Sequence, residues 1–201
     1  MADIIFLVDG STSISVGNFS AMLNFMQSVV NLTTVGEKMT RFGVILYSNE
    51  TESKFNLKEY FSKSEVLKAI QALKSPTGNT YTGKALNYTL QFFDEKYGGR
   101  QAAEVPQILM VITDGEATDR HDLKAPSEAL REKGISVFSI GVKGADKTEL
   151  VIMAGEPSRV FFVDNFDALK TLYKNVSSEL CSTTIPGNYL SVRLTVIKYQ
   201  G

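Results

Sequence analysis

The stretch Ile4-Ile5-Phe6-Leu7-Val8 is an unbroken apolar run, and Asp9-Gly10-Ser11-Thr12-Ser13 follows it without a spacer. Five consecutive apolar residues of this kind are typical of a strand that is buried on both faces of a sheet. The glycine allows a sharp turn, and the aspartate and hydroxyl side chains around it are polar. The stretch therefore predicts a buried strand that ends in a polar loop.

Four further apolar runs predict strands, and segments with apolar residues at three- and four-residue spacing predict helices between them. The other predicted strands are Arg41–Tyr47, Ile108–Thr113, Val137–Val142 and Val160–Val163. The predicted helices cover residues 19–30, 65–73, 85–93, 125–133, 147–153 and 167–180. This alternation predicts an α/β fold, a doubly wound and mostly parallel sheet with helices on both faces.

One strand is expected to run the other way. Glu52–Leu57 follows the second strand after only a short turn, so it can pair with that strand only in the antiparallel direction and forms an edge. The domain is expected to span residues 3–181. Residues 182–201 read as a linker-like tail, in which alternation over Leu190–Val196 is typical of one more half-buried strand.

Composition excludes several classes of protein. The chain has 201 residues, is 43% hydrophobic and carries a formal net charge of −1, which fits an ordinary globular domain. A balance so near to neutral argues against charge-driven binding of nucleic acid, and no apolar run is long enough for membrane insertion. With one cysteine and one histidine, Cys181 and His121, the chain must bind any metal mainly through oxygen ligands.

Asn-x-Ser/Thr sequons point to secretion and to a glycoprotein. The chain has five, more than its composition should give by chance, at Asn18, Asn31, Asn49, Asn87 and Asn175. Because Met1–Asp3 leads directly into the first strand with no signal sequence, the simplest expectation is an excised extracellular domain with an added initiator methionine. Cys181 is then either a half-cystine whose partner lies outside the chain or a buried free thiol.

Three polar loops are candidates for a single metal site. Asp9–Ser13 and Asp114–Glu116 each follow a predicted parallel strand, and Gly78–Gly83 lies between two predicted helices. Ligands bind at the carboxyl ends of the strands in such sheets. Mg²⁺ prefers oxygen ligands, takes few carboxylates and keeps several waters. Each loop alone has a plainer explanation, because Ser and Asp also cap helices and form turns, so the combination carries the hypothesis.

Enzymatic alternatives fit the sequence less well. Gly78–Lys84 resembles a phosphate-binding loop, but Ala85 stands where a hydroxyl must contact Mg²⁺, and a helix rather than a strand precedes the loop. His121 lies in a charged run without a nucleophile motif, so no catalytic residues are predicted. A Mg²⁺-dependent phosphoryl-transfer enzyme built on Asp9 remains a remote alternative.

The combined motifs resemble the von Willebrand factor A domain. The resemblance covers residues 3–181, and its finer features are similar to the extracellular A domains of collagen type VI alpha chains. In that family a metal-ion-dependent adhesion site combines Asp-x-Ser-x-Ser, a threonine of a Thr-x-Thr loop and an aspartate of a Thr-Asp-Gly turn. The matching residues in this chain are Asp9, Ser11, Ser13, Thr80 and Asp114.

The resemblance implies a secreted, non-enzymatic adhesion module of the extracellular matrix. The five residues would bind Mg²⁺, with Mn²⁺ or Ca²⁺ as alternatives, and an acidic residue of the partner would complete the coordination. Expected partners are matrix proteins or neighbouring A domains, with the isolated domain monomeric and part of a larger multidomain chain. The alternative is a structural assembly domain whose contacts do not depend on the metal.

Overall fold

The computed structural model describes residues 1–183, which form a six-stranded sheet with helices on both faces. The strands are β1 (Asp3–Asp9), β2 (Arg41–Tyr47), β3 (Thr51–Phe55), β4 (Gln107–Thr113), β5 (Ile135–Val142) and β6 (Val160–Val163). The helices are α1 (Val16–Asn31), α2 (Lys63–Gln71), α3 (Thr82–Thr89), α4 (Lys124–Glu132), α5 (Lys147–Ala154) and α6 (Leu169–Thr183). Of the predicted tail, residues 184–201, including the alternation over Leu190–Val196, lie outside the described part.

The strand order is β3-β2-β1-β4-β5-β6, and every neighbouring pair is parallel except β2 with β3. The predicted α/β class, with one antiparallel edge strand, is confirmed. The edge strand occupies Thr51–Phe55 rather than Glu52–Leu57, because its pairing with β2 begins with Tyr47 opposite Thr51. Since strand order reverses at β1 and β4, the loops after these two strands diverge and leave room for a ligand.

Alternate side chains of β1 point to two separate cores. Ile4, Phe6 and Val8 pack with α1, α2 and α6 on one face, whereas Ile5 and Leu7 pack with α3, α4 and α5 on the other. All five of these side chains are at most 2% exposed. The predicted burial of Ile4–Val8 on both faces is therefore observed, and it fixes the direction in which Asp9 leaves the sheet.

Two predicted helices end earlier than their apolar pattern suggests. The third predicted helix continues past α3 as a 3₁₀ turn over Leu90–Phe93, and α2 ends at Gln71, before Leu73. One turn of 3₁₀ helix places apolar residues on the same side as an α-helix does, so the spacing cannot distinguish the two. Among residues 1–183, no helix is long and apolar enough to cross a membrane.

A buried ion pair lies at the end of the sheet where the parallel strands begin. Asp3, at the start of β1, is fully buried, and Arg100 reaches it from the loop before β4. The Arg100 guanidinium donates to Asp3 Oδ1 from Nε at 2.9 Å and from Nη2 at 2.6 Å, and its backbone N–H donates to Oδ2 at 2.7 Å. Gln107 Nε2 adds a further bond to Oδ2 at 2.8 Å. This carboxylate is thus neutralised within the chain.

Candidate metal centre

The carboxyl ends of β1 and β4 bring the first and last predicted ligands to the same edge of the sheet. Asp9 is the final residue of β1, and Asp114 comes directly after β4. The two strands are adjacent and parallel, with Val8 opposite Ile112. Residues 105 positions apart in sequence therefore lie beside one another.

Asp9 is buried and held by neutral donors. It is 0% exposed; its Oδ1 accepts the Ser11 backbone N–H at 2.8 Å, and its Oδ2 accepts the Thr113 hydroxyl at 2.7 Å. Pro76 packs against the backbone of Gly10 so closely that a Cβ on Gly10 would overlap its ring. Glycine is therefore required there for close packing, and this contact fixes the path of the loop that carries Ser11 and Ser13.

Hydroxyl groups connect the first loop to Asp114. Ser11 Oγ lies 3.0 Å from Ser13 Oγ, and Ser13 Oγ donates to Asp114 Oδ1 at 2.7 Å. Ser11 is 2% exposed, whereas Ser13 is exposed and Asp114 is partly exposed. The oxygen atoms thus extend from the buried Asp9 out to the surface, so one side of the group is open to an approaching molecule.

Thr80 is held against the same loops by backbone hydrogen bonds. Its N–H donates to Thr118 Oγ1 at 3.1 Å, and its carbonyl accepts the Thr118 N–H at 2.8 Å. On the other side, Gly78 and Thr12 exchange two bonds of 2.9 and 2.8 Å. Gly115 faces Thr80, so that a Cβ on this glycine would lie 3.9 Å from Thr80 Oγ1. The structure therefore brings the five predicted residues together at the carboxyl ends of β1 and β4. We call this group the rim; its members are Asp9, Ser11, Ser13, Thr80 and Asp114.

Burial makes the rim favourable for a cation. Desolvation raises the pKa of Asp9 from 3.8 to about 6, against the opposing effect of its hydrogen bonds to Thr113 and Ser11. Desolvation also raises the pKa of Asp114, although its bond to Ser13 and the charge of Lys143 lower it. Within the described residues, no Lys, Arg or His nitrogen lies within 4.0 Å of the Asp9 carboxylate. A buried carboxylate without a cation is costly, and a bound divalent ion would remove that cost.

The donor set fits a hard cation. Two carboxylates and three hydroxyls supply only oxygen, as Mg²⁺, Mn²⁺ and Ca²⁺ prefer. Among the side chains that the structure describes, no three of His, Cys, Asp or Glu gather into a metal-binding group, so charge at the rim comes from few carboxylates. Such a set leaves a divalent ion partly unneutralised and able to accept a further carboxylate.

Two residues near Asp9, Thr113 and Tyr47, were not predicted from the sequence. Thr113 bonds to Asp9, and Tyr47, fully buried, shares a hydrogen bond with Thr82 at 3.2 Å. Burial raises the pKa of the Tyr47 hydroxyl well above its usual value, and the nearby Asp9 charge adds to the effect. The available signal was positional, because Tyr47 and Thr113 end the two strands on either side of β1.

The model of the von Willebrand factor type A domain matches residues 3–175. The chain belongs to the von Willebrand factor type A family. This result confirms the resemblance drawn from the motifs, and the relatives below include the predicted collagen VI chains.

Among its relatives, the human collagen alpha-6(VI) chain is 38% identical over 182 residues, and human vitrin is 33% identical over 184 residues. Each alignment covers 90% of this vWA chain, but only 8% of the collagen chain and 26% of vitrin. The chain thus spans a small part of the proteins it resembles. These relatives are secreted proteins of the extracellular matrix, and the vWA chain has the same location.

A solved structure provides a metal-bound comparison. Proximal thread matrix protein 1 from the mussel byssus, with a zinc-occupied MIDAS (metal-ion-dependent adhesion site) motif, superposes with a TM-score of 0.82 at 29% identity. The match covers 90% of this chain and 48% of that one. The collagen VI and vitrin relatives are structural and adhesive matrix proteins, which agrees with a non-enzymatic vWA domain.

Proposed function

We propose that residues 3–181 form a non-enzymatic adhesion module that binds extracellular matrix proteins or neighbouring A domains through a divalent cation. Asp9, Ser11, Ser13, Thr80 and Asp114 would hold Mg²⁺, with Mn²⁺ or Ca²⁺ as substitutes. The open side of the rim would receive a glutamate or aspartate of the partner. The module would act as a monomeric unit of a larger multidomain chain.

The observation that carries this proposal is the buried Asp9 carboxylate, which has only neutral hydrogen-bond donors around it within the described residues. When bound, the cation supplies the positive charge that these side chains lack and an electrophilic site for an external carboxylate. Asp9 and Ser11 form the buried, inner side of the rim. Ser13 and Asp114 lie nearer the surface, where a partner can approach.

The proposal is tested by titrating Mg²⁺ into the wild type and Asp9→Ala, with heat as the readout. We expect binding by the wild type and none by Asp9→Ala. Glu116→Gln is the matched control, because it removes a negative charge two residues from Asp114 without altering the five residues. Its Mg²⁺ binding should equal that of the wild type, and equal binding by Asp9→Ala would contradict the assignment of the site.

Adhesion is tested on plated collagen, laminin and fibronectin, with Mg²⁺ or with a chelator. Adhesion that the chelator abolishes supports the proposal, whereas adhesion that is equal in both conditions favours the structural assembly domain. A phosphatase activity that Asp9→Asn removes would instead favour the Mg²⁺-dependent phosphoryl-transfer enzyme.

A further inference from the structure

The turn between β2 and β3, residues 48–50, carries the sequon Asn49-Glu50-Thr51 and lies beside the rim. Asn49 Oδ1 accepts the backbone N–H of Asn79 at 2.8 Å, and Asn79 adjoins Thr80. The Asn49 carbonyl accepts a bond from Lys84 Nζ at 3.2 Å. The turn is thus fixed to the loop that presents Thr80, and the exposed Asn49 side chain has a defined place at the rim.

The hydroxyl of Thr51 has no evident use in the folded domain. Thr51 Oγ1 is buried, and it has no hydrogen-bond partner among the described residues. A buried hydroxyl without a partner destabilises a protein, and valine would fill the same space with a high strand propensity. Such a group in a native structure needs another explanation.

In the other two sequons that contain threonine, the threonine hydroxyl has a hydrogen-bond partner. Thr33 Oγ1 donates to the Val30 carbonyl at 2.9 Å, and Thr89 Oγ1 donates to the Ala85 carbonyl at 2.8 Å. Each of these hydroxyls therefore has a role in the fold. Asn49 is also the one sequon asparagine that lies in a turn between strands, since the other four belong to helices α1, α3 and α6.

Space for a sugar is present next to the turn. A depression of about 330 Å³ is lined by Asn49, Glu50, Asn79, Tyr81 and Lys84. It is open to solvent and combines an aromatic ring with polar side chains, which suits the apolar face and the hydroxyl groups of a sugar ring. The Nδ2 atom of Asn49 makes no hydrogen bond to the side chains and backbone that the structure describes, and Oδ1 can keep its bond to Asn79 when Nδ2 is substituted.

We infer that Asn49 carries an N-linked oligosaccharide whose first sugar occupies this depression, and that the glycan limits access to the metal rim from the Thr80 side. The secreted location supplies the route through which such glycans are added. The effect on access rests on the proposed function, whereas occupancy of Asn49 does not.

The transfer uses a lipid-pyrophosphate-linked oligosaccharide as donor. A bond forms between Asn49 Nδ2 and the anomeric carbon of the first sugar, and the bond from that carbon to the pyrophosphate oxygen breaks. The lipid pyrophosphate leaves with the electron pair, the amide loses a proton, and nothing is oxidised or reduced. The step precedes folding of this part of the domain, because Thr51 Oγ1 is buried in the folded structure.

The 201-residue chain is secreted from a eukaryotic cell line behind a leader sequence, as the wild type, Thr51→Val and Thr51→Ser. Thr51→Val removes the sequon and leaves Asn49 in place, and Thr51→Ser is its matched control because it keeps the sequon. Enzymatic release of glycans in heavy-oxygen water marks each occupied asparagine as labelled aspartate, which peptide mass spectrometry then locates.

Labelled residue 49 in the wild type and Thr51→Ser, with loss of the label and of one glycan mass in Thr51→Val, supports the inference. An unmodified Asn49 in the secreted wild type overturns it. Should Thr51→Val fail to be secreted, Thr51→Ala, which also removes the sequon and leaves Asn49 in place, supplies the form without this glycan.

The forms with and without this glycan are then compared on plated collagen, laminin and fibronectin in Mg²⁺. A severalfold rise in chelator-sensitive adhesion without the glycan supports control of the rim, and equal adhesion overturns it. If neither form shows chelator-sensitive adhesion, the proposed function fails together with the regulatory effect, and the occupancy of Asn49 stands on the mass spectra.

Discussion

The two ends of β1 carry buried aspartates in opposite electrostatic situations. Asp3 and Asp9 are both 0% exposed. Asp3 receives a guanidinium and the Gln107 amide, whereas Asp9 receives a backbone N–H and the Thr113 hydroxyl, both neutral. β4 supports both ends, because Gln107 and Thr113 are its first and last residues.

The difference separates a carboxylate whose charge is compensated within the fold from one whose charge is not. At the Asp3 end the chain provides its own cation, so the charge is compensated as soon as the protein folds. At the Asp9 end no cation of the described chain compensates the charge, and burial raises the pKa. An external cation can therefore stabilise the second end and has little to add at the first.

Removing the internal cation should give the largest effect. Arg100→Ala leaves Asp3 buried without its partner and is expected to lower the free energy of unfolding by about 3–5 kcal/mol. Lys124→Ala, which removes an exposed ion pair with Glu128, should change it by less than about 0.5 kcal/mol. Urea denaturation of both variants measures this. A loss no larger than that of Lys124→Ala would remove the distinction between the two ends.

In the metal-free protein, the pH dependence of stability should show the uncompensated charge at the Asp9 end of β1. Because the pKa of Asp9 is raised from 3.8 to about 6, its ionisation opposes folding by about 3 kcal/mol at neutral pH. The stabilising effect of protonation is complete below pH 3.8 and is lost as the pH rises through 6. In a chelator, Asp9→Asn should therefore be more stable than the wild type at pH 7, and this advantage should shrink towards pH 4. A difference that is constant with pH would show that burial does not perturb Asp9.

Mg²⁺ should recover part of the stability that ionised Asp9 costs, and it should act at the Asp9 end of β1 only. At a concentration of 100 times its dissociation constant, a ligand that binds only the folded state adds about 2.7 kcal/mol of stability. We expect this gain, seen as a higher melting temperature by calorimetry, in the wild type and in Asp3→Asn. It should be absent in Asp9→Asn, and a gain in that variant would place the cation elsewhere.

The smallest effects should come from the two β4 residues. Thr113→Val removes the hydroxyl bonded to Asp9, and Gln107→Leu removes the amide bonded to Asp3; each should cost about 1 kcal/mol of stability. Only Thr113→Val should also weaken Mg²⁺ binding in a calorimetric titration, by up to about tenfold. Equal Mg²⁺ affinity in both variants would show that Thr113 does not position Asp9.

The sequence predicted most of the sheet because its strands are buried on both faces. The uninterrupted apolar run Ile108–Ile112, for example, can be read without knowing its neighbours. The edge strand was misplaced by a residue at its start and by two at its end, since pairing with β2 sets its limits. The turn at Leu90–Phe93 was also predicted as α-helix, because one turn of either helix has the same apolar spacing.

The five rim residues could be named from motifs and from the rule that ligands bind where parallel strands end. Their supporting contacts could not. The bond between Thr113 and Asp9 and the one between Asn49 and Asn79 depend on register and on loop packing, which residue types alone do not encode. The internal partner of Asp3 was hidden for the same reason, since Arg100 lies 97 positions away.

The central position of β1 also has a consequence for folding. Its partner β4 is remote in sequence, as Asp3 and Gln107 are separated by 104 positions, and contacts of such long range form slowly. Asp9 and Asp114 come together only when this pair forms, so a cation held by both aspartates could bind only after β1 and β4 had paired. Because the chain has no tryptophan, a luminescent lanthanide at the rim would offer a direct kinetic signal for completion of the sheet.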